Sequence, residues 1–321
     1  MKIGLLTSLF HDISVSETFA YCKKTGFEAV ELYCGQLTAP LHCDPNILLK
    51  DNAQLQTLKD ELKRNNLIIS QLNCSGNAIS PIPGEGKKHQ EAFEKTVLLA
   101  EKLQIDTIAN FSGCPGGGPK DETPNWITCP WPDEFVSMLA YQWEEVLIPY
   151  WKKAVKFANE HGVTKIGLEM HPGFCVYNPE TLLKLRDAVG NTIGANFDPS
   201  HLFWQGIDIQ QAILSLGEAI FHVHAKDTRI FDQNIQKNGV LDTKHYGDIK
   251  NRAWVFGTVG CGHGELEWQT IIDTLSMVGY DYVISIEHED SLKSKKEGLE
   301  AAFTFLSKIV PKEKPGKMWW A

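Results

Sequence analysis

Residues 165–173 read KIGLEMHPG, 193–201 read IGANFDPSH, 220–227 read IFHVHAKD and 282–290 read YVISIEHED. Each stretch opens as a short apolar or β-branched run and then reaches an acid or an imidazole: Glu169, Asp198, His224 and Glu287 in turn. Runs of this kind are typical of strands buried on both faces, as in a parallel sheet. Helical periodicity fills the intervals at 179–189, 209–216 and 266–277, and a last helix is expected at 295–309. Upstream, the same alternation gives strands at KIGLLTSL (2–9), AVELYC (29–34), LIISQLNC (67–74) and TIANFSG (107–113), with helices at 16–24, 53–65, 87–102 and 134–160. Eight strand–helix units predict an α/β fold, a single (β/α)8 TIM barrel spanning residues 1–321. The competing arrangement, an open doubly wound sheet, lacks its G-x-G-x-x-G turn after the first strand.

Composition narrows the partners. The 321 residues are 43% hydrophobic, enough for a sizeable core, which excludes a disordered chain. With 31 Lys+Arg against 40 Asp+Glu the net charge is −9, an unsuitable field for a nucleic acid backbone and a better one for a weakly charged small molecule. The apolar opening MKIGLLTSLF ends at His11 and Asp12, too early for a secretion signal, and no run approaches the roughly 18 apolar residues of a membrane span. The expected location is cytoplasmic, without membrane association. Eight cysteines with no C-x-x-C spacing fit reduced thiols.

Two intervals exceed what a barrel needs, 114–133 (CPGGGPKDETPNWITCPWPD) and 228–264. Both follow strands, which places them over the C-terminal face as lids. Gly116, Gly117 and Gly118 are not followed by Gly-Lys-Ser/Thr, so they read as a hinge and not as a phosphate loop.

The four acids and imidazoles stand at ends of consecutive strands, hence on one rim of one barrel. Three carboxylates gathered there repel by several kcal/mol per close pair at intermediate dielectric, and a divalent cation removes that repulsion. Glu169, Asp198, His224 and Glu287 are therefore the expected metal ligands, with Mn2+ the first choice and Co2+, Mg2+ or Zn2+ the alternatives. His171 lies two residues past Glu169 and points the same way, as a general base or as a partner of a neighbouring loop. His222, two before His224, reads as a lower barrel layer. His245 and His263 reach the site if the second insertion folds inward. Trp126, Trp131, Trp204 and Trp254 fall near the same rim, as stacking platforms or as core.

These motifs resemble the xylose-isomerase-like TIM barrels grouped as sugar phosphate isomerase/epimerase, which include ketose 3-epimerases, inosose isomerases and dehydratases and, more distantly, endonuclease IV. The resemblance implies the same four metal ligands. It also implies that Glu169 and Glu287 act as the acid/base pair on the two faces of the substrate, and that His201 contacts a substrate oxygen. Ketose 3-epimerases carry an Arg six residues past the metal His, where this chain has Ile230, so Lys226 and Arg229 become the candidate substrate anchors. The trinuclear cluster of endonuclease IV needs further ligands, but the second to fourth strands end in Tyr33-Cys34, Asn73-Cys74 and Asn110-Phe111.

The expected activity is metal-dependent isomerisation or epimerisation, by proton abstraction next to a carbonyl through an enediolate. The alternative is a lyase that cleaves a C–C or C–O bond of a 3-keto-glycoside, since the overall pattern is similar to the α subunits of C-glycoside deglycosidases. A non-catalytic barrel subunit and a phosphodiesterase stand lower. Expected partners are a small sugar or keto-glycoside and a second copy of the chain, or a small β subunit in the lyase case.

Overall fold

Short runs of Ile, Val, Leu and Ala make the strands, because β-branched and apolar side chains suit a sheet covered on both faces. The computed structural model describes residues 1–35, 41–313, 316–318 and 320. In chain order the strands are β1 (Lys2–Leu6), β2 (Ala29–Tyr33), β3 (Ile68–Asn73), β4 (Thr107–Phe111), β5 (Lys165–Glu169), β6 (Ile193–Phe197), β7 (Ile220–Ala225), β8 (Asp227–Ile230), β9 (Trp254–Gly257) and β10 (Val283–Ile286). Eight of them close in the order β1-β10-β7-β6-β5-β4-β3-β2. Every pairing in the barrel is parallel, with register shifts at Val30/Glu31 and Ala195/Asn196.

Helices occupy the intervals where the periodicity places them. Ser14 caps Val15–Thr25 in a reciprocal pair with Glu17, and Asn178 caps Pro179–Val189. The stretch expected as one helix at 134–160 is helical throughout, but Tyr141–Leu147 widens into a π turn between Glu134–Ala140 and Ile148–Glu160. Pro149 has no N–H to donate to the preceding turn, and the looser register just before it accommodates that missing bond.

The second insertion is more ordered than a lid loop. Antiparallel β8 and β9 pair from Asp227↔Gly257 to Ile230↔Trp254, with the helix Asp232–Asn238 between them. This hairpin packs its own small core of Trp204, Ala253, Trp254 and Phe256. Trp204 and Trp254 stack at 4.6 Å, and the Arg252 guanidinium lies over both Tyr246 and Trp254. In the first insertion, a Cβ on Gly116 would meet Asp121 Cβ at 2.5 Å, and one on Gly117 would meet Met138 Sδ at 2.9 Å. Gly117 N–H also donates to Asp121 at 2.8 Å. Gly116 and Gly117 thus sit in a packed turn that leaves no room for a side chain, while a Cβ on Gly118 would meet nothing within 4 Å. Among the described residues, no helix is long and apolar enough to cross a membrane.

Candidate metal centre

Glu169 ends β5, Asp198 follows β6, His224 lies near the end of β7 and Glu287 follows β10. Parallel strands in one barrel bring these positions to one rim, and the four side chains offer ligand atoms that all lie within 4.8 Å of one another. Glu169, Asp198 and His224 are buried, and Glu287 is partly so. His224 Nδ1 lies 2.8 Å from Glu287 Oε2 and 3.7 Å from Glu169 Oε2. Neither His224 Nδ1 nor Glu287 Oε2 has a partner in hydrogen-bond geometry, and Asp198 Oδ2 has none either. Three buried donor atoms outside the hydrogen-bond network, two of them 2.8 Å apart, converge on one point, which a cation requires and a packed core avoids. The donor set fits a divalent ion.

The surrounding residues sharpen the electrostatics. His201 Nε2 lies 2.9 Å from Glu169 Oε1 and 3.4 Å from Asp198 Oδ2. The His171 ring packs 4.0 Å from that of His201, and its Nδ1 is bonded to the Pro172 carbonyl at 2.6 Å. Lys226 is buried with Nζ 2.8 Å from Glu289, 3.2 Å from Glu287 and 3.7 Å from Asp198, over the ring of Phe256. Burial, reinforced by Glu287, raises the Glu169 carboxyl to about 7. Burial also lowers His201 to about 4, and burial with the neighbouring His201 lowers His171 to about 3. For His224 burial works the same way, but Glu31 and Glu287 outweigh it and hold its pKa well above the ordinary value. The centre thus carries a concentrated negative field that a proton or a cation answers.

Not every candidate is brought here. Arg229, an expected substrate anchor, makes a bidentate pair with Asp290 at 3.3 and 2.9 Å, so it ties the hairpin to the segment after β10. Asp290 also accepts from the Thr258 N–H and hydroxyl; burial would raise its pKa, but these donors and Arg229 help hold it low, so the carboxylate that meets the guanidinium stays ionised. His263 pairs with Asp227 at 2.7 Å and stacks on Phe203, while His245 accepts from Gly247. His222 is a lower-layer residue, bonded to Ser70 and Asn196. Of the tryptophans, Trp204 and Trp254 are core, Trp126 packs on Tyr177, and Trp131 is exposed.

Glu31 was missed by sequence reasoning. It sits inside β2, 2.9 Å from His224, although the attention of a strand-end search falls on Tyr33 and Cys34. The available signal was an acid in the middle of an apolar strand, where a charge needs a partner. Burial alone would raise its carboxyl, but His224, His222 and Asn73 hold it at about 2.

A cavity of about 600 Å³ lies beside the centre, lined by Leu9, His171, Tyr246, Phe256, His288 and Glu289 among others; His171 and Glu289, which contact the buried cluster, link the two. A larger one, about 790 Å³, lies where the strands begin, around Lys2, Glu28 and Asp281, at the end of the barrel away from the converging ligands. Chemistry therefore favours the smaller cavity.

The pattern of the xylose isomerase-like TIM barrel family matches residues 19–309. The chain belongs to that family. It is 39% identical over 313 residues to the uncharacterized protein YfiH of Bacillus subtilis (strain 168), covering 97% of this chain and 99% of that one. The fold is similar to the probable 3-DHS dehydratase AsbF of Bacillus anthracis, with a TM-score of 0.65 at 18% identity over 96% of this chain and 99% of the other. It is also similar to D-psicose 3-epimerase of Clostridium cellulolyticum H10, solved with D-tagatose, with a TM-score of 0.63 at 14% identity over 97% and 99%. A third similar structure is the IOLI protein with a bound zinc atom, with a TM-score of 0.63 at 18% identity over 97% and 98%. Proteins of similar fold thus include an epimerase and a probable dehydratase.

Proposed function

We propose that this chain is a divalent-metal-dependent isomerase or epimerase that removes a proton next to the carbonyl of a sugar-like substrate. The observation that carries the reading is the convergence of Glu169, Asp198, His224 and Glu287, with three of their donor atoms buried and outside the hydrogen-bond network. These four residues would hold the ion, Mn2+ first, with Co2+, Mg2+ or Zn2+ as alternatives. A bound ion of this kind supplies Lewis acidity that favours an enediolate of a hydroxy-ketone.

The chain's own residues handle the proton and the substrate. Glu169 and Glu287 project from different strand ends and form the acid/base pair, one for each face of the substrate. His201 orients Glu169 through its 2.9 Å contact, and His171 packs behind it within the cavity lining. Lys226 presents a buried positive charge to substrate oxygens and balances the carboxylates. The epimerase and the probable dehydratase of similar fold support this class of chemistry.

A second reading, cleavage of a 3-keto-glycoside, is favoured by the cavity wall of Tyr246 and Phe256 that the hairpin insertion adds, since such rings suit an aglycone. In that case a small β subunit is the expected partner; otherwise the chain assembles with copies of itself. Incubation with Mn2+ in D2O and a panel of ketoses and 3-keto-glycosides tests both. Deuterium at the α-carbon without cleavage supports the epimerase, aglycone release supports the lyase, and no exchange on any substrate overturns the common first step.

A further inference from the structure

Below the candidate centre, the barrel holds a carboxylate that the reading above leaves unused. Glu31 is fully buried within β2, whose other residues are Ala29, Val30, Leu32 and Tyr33. An ionised group there survives only if its oxygens are satisfied. Its Oε1 accepts from Asn73 Nδ2 at 2.7 Å, and its Oε2 lies 2.9 Å from Nε2 of His224. Asn196 Nδ2 lies 3.2 Å from the same nitrogen, but a carboxylate can only accept, and the shorter, charge-assisted contact to Glu31 puts a proton on Nε2. Without a cation Glu31 and Glu287 favour the doubly protonated ring, but a bound cation displaces one proton, and with Nε2–H held by Glu31 it is Nδ1 that is left with its lone pair. Nδ1 is the nitrogen that faces Glu287 and Glu169 and has no hydrogen-bond partner.

We infer that Glu31 is a positioning residue: it fixes the Nε2–H tautomer and the ring orientation of His224, so that Nδ1 is offered to the cation. This rests on the metal-dependent reading of the centre. His222 does not take up Glu31 in the same way, because it lies 3.8 Å away and is bonded to Ser70 at 3.1 Å and Asn196 at 3.0 Å. Asn73 adds directionality. Its Oδ1 accepts from Ser75 N–H at 3.1 Å, which holds its amide so that Nδ2 faces Glu31.

That orientation makes Glu31→Gln an informative variant. With Asn73 still donating, the new amide turns its oxygen toward Asn73 and its NH2 toward His224, which moves the ring proton to Nδ1 and blocks the ligand position. Mn2+ affinity measured by calorimetry should fall about 10- to 100-fold in Glu31→Gln, the range for lost partners of metal-bound imidazoles. Glu31→Met, which removes the acceptor at similar size, should also weaken binding. His224→Gln serves as the reference. If His224→Gln retains wild-type affinity, the metal reading itself fails; if it loses affinity while folded Glu31→Gln stays within about twofold of wild type, the role of Glu31 alone is overturned. A readout that needs no variant is the 15N histidine spectrum of the Zn2+-loaded wild type. It should show His224 bound through Nδ1 with its proton on Nε2, and the reverse arrangement would overturn the inference.

Discussion

The ammonium of Lys226 lies 3.2 Å from Oε1 of Glu287, and the same nitrogen reaches Glu289 at 2.8 Å. Burial by itself would strip the proton from this lysine, but Glu287, Glu289, Asp198 and Glu169 hold its pKa well above the ordinary value. A charge of the chain's own is therefore buried beside the candidate metal centre, with which it shares Asp198 and Glu287.

Lys226→Met should accordingly destabilise the metal-free protein by about 3–5 kcal/mol, the range for breaking a buried pair, because Asp198 and Glu287 lose their cation. Mn2+ should reduce that loss by supplying the charge. Denaturant unfolding with and without Mn2+ measures both, and an equal loss in the two conditions would contradict a shared field.

Elemental analysis after Mn2+ loading and dialysis should find one ion per chain. Glu287→Gln and Asp198→Asn should each weaken retention by more than the roughly 100-fold seen when only a supporting partner is lost. Full retention in either variant would remove that residue from the ligand set.

Gly298 lies in the helix Lys295–Ile309, where Ala would ordinarily stabilise by about 1 kcal/mol. Here a Cβ would overlap Cε1 and Nε2 of the His288 ring. Gly298→Ala should therefore lower the melting temperature, displace the residue next to Glu287 and weaken Mn2+ binding. Combining it with His288→Ala should restore stability. A stable single variant with unchanged binding would show that the ring moves away freely.

Asp242 supports the hairpin insertion by accepting from Ala253 N at 2.7 Å and Lys244 N at 2.9 Å. Burial raises its carboxyl, but Lys244 and the backbone donors outweigh this and bring it from 3.8 to about 2. A carboxyl with a lower pKa when folded contributes its stabilisation above the unfolded value, and loses it as pH falls through the folded value. Fluorescence of the tryptophans, which include Trp254 of this insertion, should show acid loosening between about pH 4 and pH 2. Asp242→Asn should flatten that acid limb. An unchanged limb would assign the loosening to other carboxylates.

The alternation of apolar runs with helical periodicity determined the barrel, because both periods are local and each strand is too short to read any other way. The same locality made Glu169, Asp198, His224 and Glu287 legible: a side chain at a strand end of a parallel barrel falls on one rim whatever the rest of the chain does. His201 and Lys226 came from the family resemblance and not from local pattern; both lie among these groups. What the tertiary structure alone decided lies across the barrel or within the insertion. Glu31 meets His224 over a separation of 193 residues, and that meeting depends on strand stagger, including the register shift at Val30/Glu31. Arg229 turned to Asp290, 61 residues away, and Trp204 turned to Trp254, because the insertion folded into a hairpin with its own core. Spacing along the chain reports which face a side chain takes; which side chains share that face, and at what distance, is set by closure of the sheet.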